Sequence, residues 1–222
     1  MPIEITITAY AYSELQGTAK ERAREKLVEW RTDHEWWDCV YEASKEKGKE
    51  LGFNIEDIRF SGFCSQGDGA SWTGQVKLQT FLEHHLKEND PNYAKYTTLL
   101  MLIDDGWVEN LISISRKSFM YNHSNTMQFE FAYMGYVNAT EDGVIGAECP
   151  LQGANVKQLY EGIDIDGLLY DLHEWALREA KDYADEIYAQ LEAAYDDAMS
   201  DQHVSVMADA NEWEFDEMGR LI

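Results

Sequence analysis

The chain has 222 residues, enough for one substantial domain or two small ones. Hydrophobic residues make up 45% and aromatic residues 13%, with 7 Trp and 13 Tyr, which is too much core material for a disordered segment. Its 42 acidic residues against 18 basic ones give a net charge of −24, which argues against a direct nucleic-acid binder, because phosphate contacts need Lys and Arg clusters.

Other classes are argued against by what the sequence lacks. There is no early apolar run with a basic flank, and no run of about eighteen apolar residues, so neither a signal peptide nor a membrane span is expected. Cys39, Cys64 and Cys149 are odd in number, far apart and form no CxxC pair; they are expected to be free thiols in a reducing cytoplasm, neither zinc ligands nor a disulfide framework.

Residues 3–10, IEITITAY, alternate apolar and polar and predict an opening strand. Thr18 and Glu21 have the spacing of a capping box, which predicts a helix running towards Asp33 with Ala23, Leu27 and Trp30 on one face. A second helix is expected over 35–50, presenting Trp36, Val40 and Ala43 and stopped by Gly52. Residues 55–63 read as a strand, FSGFCSQGDGASWTG over 60–74 as a polar loop, and WTGQVKL as the returning strand. Residues 79–105 read as helical with a break at Asn89-Asp90-Pro91. Two alternating segments then flank a turn near Asn122–Ser124, a hairpin, and Glu141-Asp142-Gly143 marks another turn.

From about 164 to 200 apolar residues recur at helical spacing, with acids on the remaining faces. The last residues, ANEWEFDEMGRLI, suit a short hairpin or an ordered tail. The order predicts one α+β domain over 1–222, an antiparallel sheet packed with helices and ending in a long acidic helix.

Two loops carry the candidate chemistry. Glycines on both sides of Asp68 let the backbone approach a ligand closely, and successive amides in such a turn can hold an anion. Gln66 offers a donor and an acceptor, Asp68 an acceptor or base, and Ser65 and Ser71 hydroxyls. The plain alternative is a turn whose Asp caps its own backbone. The second loop holds His123 as acid or base and Tyr121, with Arg116 nearby to meet an anion.

Neither phosphate-binding glycine motif is present. Adjacent His84 and His85 point about 100° apart on a helix and cannot chelate as an i, i+4 pair does. No cofactor is expected. The third candidate is electrostatic: residues 151–222 hold 18 acids against four bases, with Glu179, Asp182, Asp185, Glu186, Glu192, Asp196, Asp197 and Asp201 along the helical stretch. Such a surface keeps a protein soluble, or meets a basic partner.

The segment SGFCSQGDGA resembles a motif in a family of bacteriophage, prophage and plasmid proteins, some of them labelled antitoxins of toxin–antitoxin systems. Tyr12-Ser13-Glu14-Leu15, the region of Tyr121 and His123, and the closing ANEWEFDEMGRLI are similar as well. This chain departs in having Cys64 where an aromatic or small residue is expected, and Trp72 where Phe is expected.

The resemblance implies a bacterial host cytoplasm and groups Gln66, Asp68 and His123 in one site. Together these readings lead to two expectations. One is a phage-type accessory protein that binds and inhibits a host protein, in defence or nucleic-acid metabolism, through its acidic surface, with no membrane or direct nucleic-acid contact. The other is a nucleotide-like ligand binder or hydrolase using the SQGDGA loop and His123.

Overall fold

The computed structural model describes residues 7–32, 36–104, 108–117, 120–129 and 165–222. In chain order the first elements are β1 (Tyr10–Ala11), α1 (Gly17–Thr32), α2 (Asp38–Glu50), β2 (Phe53–Phe60), β3 (Ala70–Lys77), α3 (Leu78–His85) and α4 (Tyr93–Asp104). They continue with β4 (Leu111–Arg116), β5 (Met127–Phe129), α5 (Ile165–Met199), α6 (Asp201–Ala210) and β6 (Glu214–Phe215). The fold is α+β with antiparallel sheets and a long acidic helix towards the C-terminus, as the patterning predicts. The chain divides into two compact units, residues 1–40 with 189–222, and residues 41–188.

In the first unit β1 and β6 form a two-stranded antiparallel ribbon, Tyr10 opposite Phe215. Of the opening strand expected over 3–10, the described residues hold only Tyr10–Ala11, paired with the two residues of β6. Residues 1–6 lie outside the described residues. Tyr12, Leu15, Ala23, Leu27, Val204, Ala208 and Phe215 make a buried cluster. Helix α1 begins at Gly17, so Thr18 sits inside its first turn rather than at the cap. Trp30, expected on the buried face, is 49% exposed, its ring 5.1 Å from that of Trp213.

The acidic helical stretch ends at Met199, and a separate helix follows: Ser200 caps α6 by accepting the His203 N–H at 3.1 Å. The final residues form the short hairpin, with Leu221 bridged to Phe215. Its turn is held by the Asp216 carboxylate, which accepts the Met218 and Arg220 N–H groups at 2.9 Å each.

The second unit is built on a sheet of order β2-β3-β4-β5, antiparallel throughout. The hairpin expected around Asn122–Ser124 is present, with Arg116 opposite Met127; the continuation of its return strand past Phe129, the turn at Glu141–Gly143 and Cys149 lie outside the described residues. The break at Asn89–Pro91 separates α3 from α4.

The core lies where Phe53, Ile58, Trp72 and Val76 of the sheet meet α5, whose Leu172, Ala176, Ala180, Ala184 and Ile187 are buried at helical spacing. Two side chains anchor the helices through polar tips: Trp72 Nε1 donates to Ala180 O at 3.1 Å, and Tyr183 Oη to Ser44 O at 2.7 Å. Burial pushes the Tyr183 hydroxyl up to about 12. His85, expected to be no metal ligand with His84, stacks on Phe81 with ring centroids 4.4 Å apart.

A half-buried histidine gives this unit a pH dependence. His173 of α5 packs on Phe129 with ring centroids 5.5 Å apart, and desolvation lowers its pKa to about 4. The unfolded imidazole titrates near ~6.5, so between the two values the unfolded chain binds the extra proton. The contribution is intact above the higher value and is lost as pH falls towards the lower one. His173→Phe should therefore resist acid better than the parent, and the difference in thermal midpoint between the two should widen as pH falls from about 7 to about 4.5. Comparing the two chains cancels the changing repulsion among the many carboxylates.

Candidate functional site

The site begins with the two faces of the β2–β3 hairpin. Asp57 stands opposite Thr73 and Arg59 opposite Ser71, and directly opposed residues in an antiparallel pair share a face. Ile58 and Trp72 occupy the other face, against α5. A register shift between Ile55 and Asp57 creates this arrangement. Before it, Phe53 and Ile55 point into the core; after it Ile58 does, which turns Asp57 and Arg59 to the polar face.

The loop joining the strands is closed at its base by Ser61 N–H donating to Gly69 O at 3.0 Å. Its interior is organised by Asp68, whose Oδ2 accepts the N–H of Cys64 at 2.9 Å and of Ser65 at 2.6 Å. The Asp68 carboxylate thus caps its own turn, the plain reading of a Gly-Asp-Gly sequence, and this oxygen is committed to the loop. Ser65 and Gln66 stand exposed on the crown, away from Ser71, which is fully buried at the foot of β3. Beneath the loop Phe63 stacks on Phe60 with centroids 5.6 Å apart, and Tyr188 Oη donates to Gly62 O at 2.9 Å.

The second loop meets the first directly. Asn122 Nδ2 donates to Phe60 O at 3.2 Å, and the backbone of His123 rests on Gly69, where an added Cβ would lie 2.6 Å from His123 Cβ and 2.8 Å from its Cα. Only glycine permits this approach. Gly69→Ala should push the two loops apart and destabilise the chain by about 1–3 kcal/mol, measured by chemical denaturation; an unchanged midpoint would show that the loops do not meet at this position.

Arg116 completes the cluster. It reaches from β4 past β3 to β2, where Nη2 donates to Asp57 Oδ2 at 2.7 Å, and Arg59 Nε reaches the same oxygen at 3.0 Å. Its side chain is 8% exposed while that of Asp57 is 46% exposed.

Four buried polar atoms of this cluster have no hydrogen-bond partner among the described residues: Ser61 Oγ, Ser71 Oγ, Arg116 Nη1 and His123 Nδ1. Register puts Ser61 and Ser71 on the polar face of the β2–β3 hairpin, and contact brings His123 and Arg116 to it. Ser71 opposes Arg59, Ser61 closes onto Gly69, His123 stands over Gly69, and Arg116 reaches Asp57. Tyr121, 53% exposed, has its ring 6.1 Å from that of His123.

Of the residues singled out from sequence, His123 rests on Gly69, next but one to Ser71, with the Tyr121 ring beside it; Arg116 joins through Asp57, and Ser65 and Gln66 stand exposed on the loop crown. Asp57, Arg59, Ser61 and Asn122 belong to the cluster and were not among them. An Asp and an Arg at i and i+2 of a strand share a face, which is the signal that could have found the first two.

The acidic candidates are partly bound within the chain. In the second unit Glu179 accepts the Trp175 indole N–H at 3.0 Å, and Glu186 pairs with Lys47. Asp182 and Asp185 line a polar recess of about 250 Å³ with Arg178, Lys181, Ser124 and Asn125. In the first unit Asp197 faces His203 Nδ1 at 3.1 Å, and Glu192 and Asp196 are exposed. Asp201 lies on α6, where it accepts from Tyr12 Oη at 2.7 Å and Lys20 at 3.1 Å; the Tyr12 bond holds its carboxyl below the usual range.

Among the described residues no group of three or more His, Cys, Asp or Glu side chains is placed to hold a metal ion, and no helix is long and apolar enough to cross a membrane. The architecture is thus an antiparallel four-stranded sheet backed by a long helix, with a cluster of unsatisfied polar groups where two loops meet. Residues 36–201 match the family model of a domain of unknown function, DUF8835, and the chain belongs to that family. No curated protein and no solved structure matches the chain.

Proposed function

We propose that this protein binds a small phosphate-bearing, nucleotide-like molecule where the Ser61–Gly69 loop meets the Tyr121–His123 segment. The observation that carries the reading is the group of four buried polar atoms with no protein partner. Each such atom costs about 1–3 kcal/mol while unsatisfied, and together they weigh heavily against a total stability of about 5–15 kcal/mol. A phosphate answers all four, since its oxygens accept from a guanidinium N–H, from two hydroxyls and from an imidazole N–H.

Arg116 Nη1 supplies charge, with Asp57 fixing the guanidinium through its other nitrogen. Ser61 and Ser71 supply hydroxyl donors, and His123 donates in the tautomer protonated on Nδ1. The half-exposed ring of Tyr121 offers a surface on which a base can stack.

Because the donors are covered, entry requires the loop crown to part from the Tyr121 segment. The crown, Cys64 to Gly67, is exposed and is tied by the Asp68 carboxylate. With that carboxylate engaged in its own turn, the cluster supports binding over hydrolysis.

The test is thermal denaturation of the full chain with inorganic phosphate and with ribonucleoside monophosphates. At a hundredfold excess over its dissociation constant a ligand stabilises by about 2.7 kcal/mol, a rise of several degrees for a chain of this size. Ser71→Ala and His123→Ala should remove the rise while remaining folded. A panel that leaves the parent's midpoint unmoved contradicts the reading.

A second reading rests on a different observation: Glu192, Asp196 and Asp197 are exposed on the part of α5 that belongs to the first unit. Such a surface suits electrostatic steering onto a basic host protein, in keeping with the phage setting that the sequence resemblance implies. This association would be salt-sensitive. A basic protein recovered with the tagged chain at low salt and lost at high salt, and also lost with Glu192→Lys/Asp196→Lys, would support it; recovery indifferent to both would not.

A further inference from the structure

The first unit carries a groove of about 490 Å³ unrelated to the loop cluster. Its floor is Leu27 of α1 and Phe215 of β6, both buried, and its walls are Trp30 and Leu221, each about half exposed. The lining is thus apolar and partly aromatic, and the volume is that of a small-molecule site.

What distinguishes the groove is its rim. Arg22, Lys26 and Arg220 all border it, three cations in a chain whose net charge is −24. Two of them are positioned by the end of the chain itself. Arg22 Nη1 donates to Met218 O at 2.9 Å, and Arg220 Nε to Asp216 Oδ2 at 2.7 Å, each keeping further N–H donors. Lys26 pairs with Glu29 at 2.6 Å, with its side chain 73% exposed. Gly219, at φ +76, closes the hairpin against α1, where a Cβ would strike Ala19 O; this close packing keeps the rim and the wall at Leu221 in place.

An apolar trough edged with cations is complementary to a molecule with an apolar body and an anionic head. The geometry points to this groove as a binding site for a small amphipathic anion, an aliphatic or aromatic carboxylate or sulfonate. Its body lies between Trp30 and Leu221, and its head group meets Arg22, Lys26 and Arg220. The rim supplies the specificity: Arg220 is already paired with Asp216 through Nε and Nη2, and the same body without a charge buries the same apolar area but leaves the remaining donors of Arg22 and Arg220 unused. Nothing in this site depends on the loop cluster of the second unit.

The test uses 8-anilinonaphthalene-1-sulfonate as a fluorescent probe on the full chain, with decanoate and decanol as competitors. The expected result is one saturable probe site per chain, displaced by decanoate and not by decanol at equal concentration. Leu221→Glu, which places a carboxylate at a half-exposed wall position, should weaken the probe by about tenfold or more. Lys26→Gln, a change at a well-exposed side chain, should weaken it by several-fold and reduce its salt dependence. Far-UV circular dichroism confirms that both variants fold. Absence of a saturable site, equal displacement by decanol, or unchanged affinity in both variants would overturn the proposal.

Discussion

Replacing Trp72 by alanine is expected to lower the unfolding free energy by about 3–5 kcal/mol, enough to remove much of the stability of an average domain. The ring is fully buried and lies 5.3 Å, centroid to centroid, from that of Phe53. Its indole N–H also ties the sheet to the helix through Ala180 O. Truncation therefore removes apolar burial, opens a cavity between two packed layers and cuts a hydrogen bond in one step. Phenylalanine, the residue that the sequence resemblance leads one to expect here, keeps most of the volume and loses the bond. Trp72→Phe should cost only about 1–2 kcal/mol. Denaturant midpoints of the three chains decide the matter, and equal losses for Ala and Phe would mean that packing is not what Trp72 contributes.

The second large effect is expected at Asp57. Its carboxylate takes bonds from Arg116 and Arg59 on one oxygen, and the Arg116 side chain is almost wholly buried. Asp57→Ala leaves a buried guanidinium without its partner. Full burial of both members would put the cost at about 3–5 kcal/mol; because the carboxylate is half exposed and water reaches it, about 2–3 kcal/mol is the better expectation. Asp57→Leu combined with Arg116→Met removes both charges and should recover most of that loss. A double variant no more stable than Asp57→Ala would show that the pair does not act as a unit.

How far the sequence reveals this architecture depends on the range of the forces involved. The periodicity of α5, the loop between β2 and β3, and the turn near Asn122 are local signals, written in residue spacing, and each is where the spacing puts it. The start of α6 was equally local: Ser200 and Asp201 are a cap and a first-turn acid, yet the apolar period continues through Val204 and Ala208 and conceals the break.

The site is different because it is made by register. A single irregularity between Ile55 and Asp57 reverses which residues of β2 face the core, and no pattern in the eight residues of that strand announces it. The spacing of Asp57 and Arg59 shows that they share a face but not which face it is, whereas Arg116 is legible as a cation in need of an anion. Asp68 was misleading for the opposite reason. Flanking glycines invite a ligand, but the same freedom lets the carboxylate turn inward onto Cys64 and Ser65.

The proposal that the buried donors around His123 hold a phosphate-bearing molecule is open to direct test. Native mass spectrometry of the full chain purified from bacterial lysate under low salt tests it most directly, with any released compound identified after denaturation. The expected result is a single bound species containing phosphate, present in the parent chain and missing from folded Ser71→Ala and His123→Ala variants. A parent chain that carries no bound compound, or one retained equally by both variants, would contradict it.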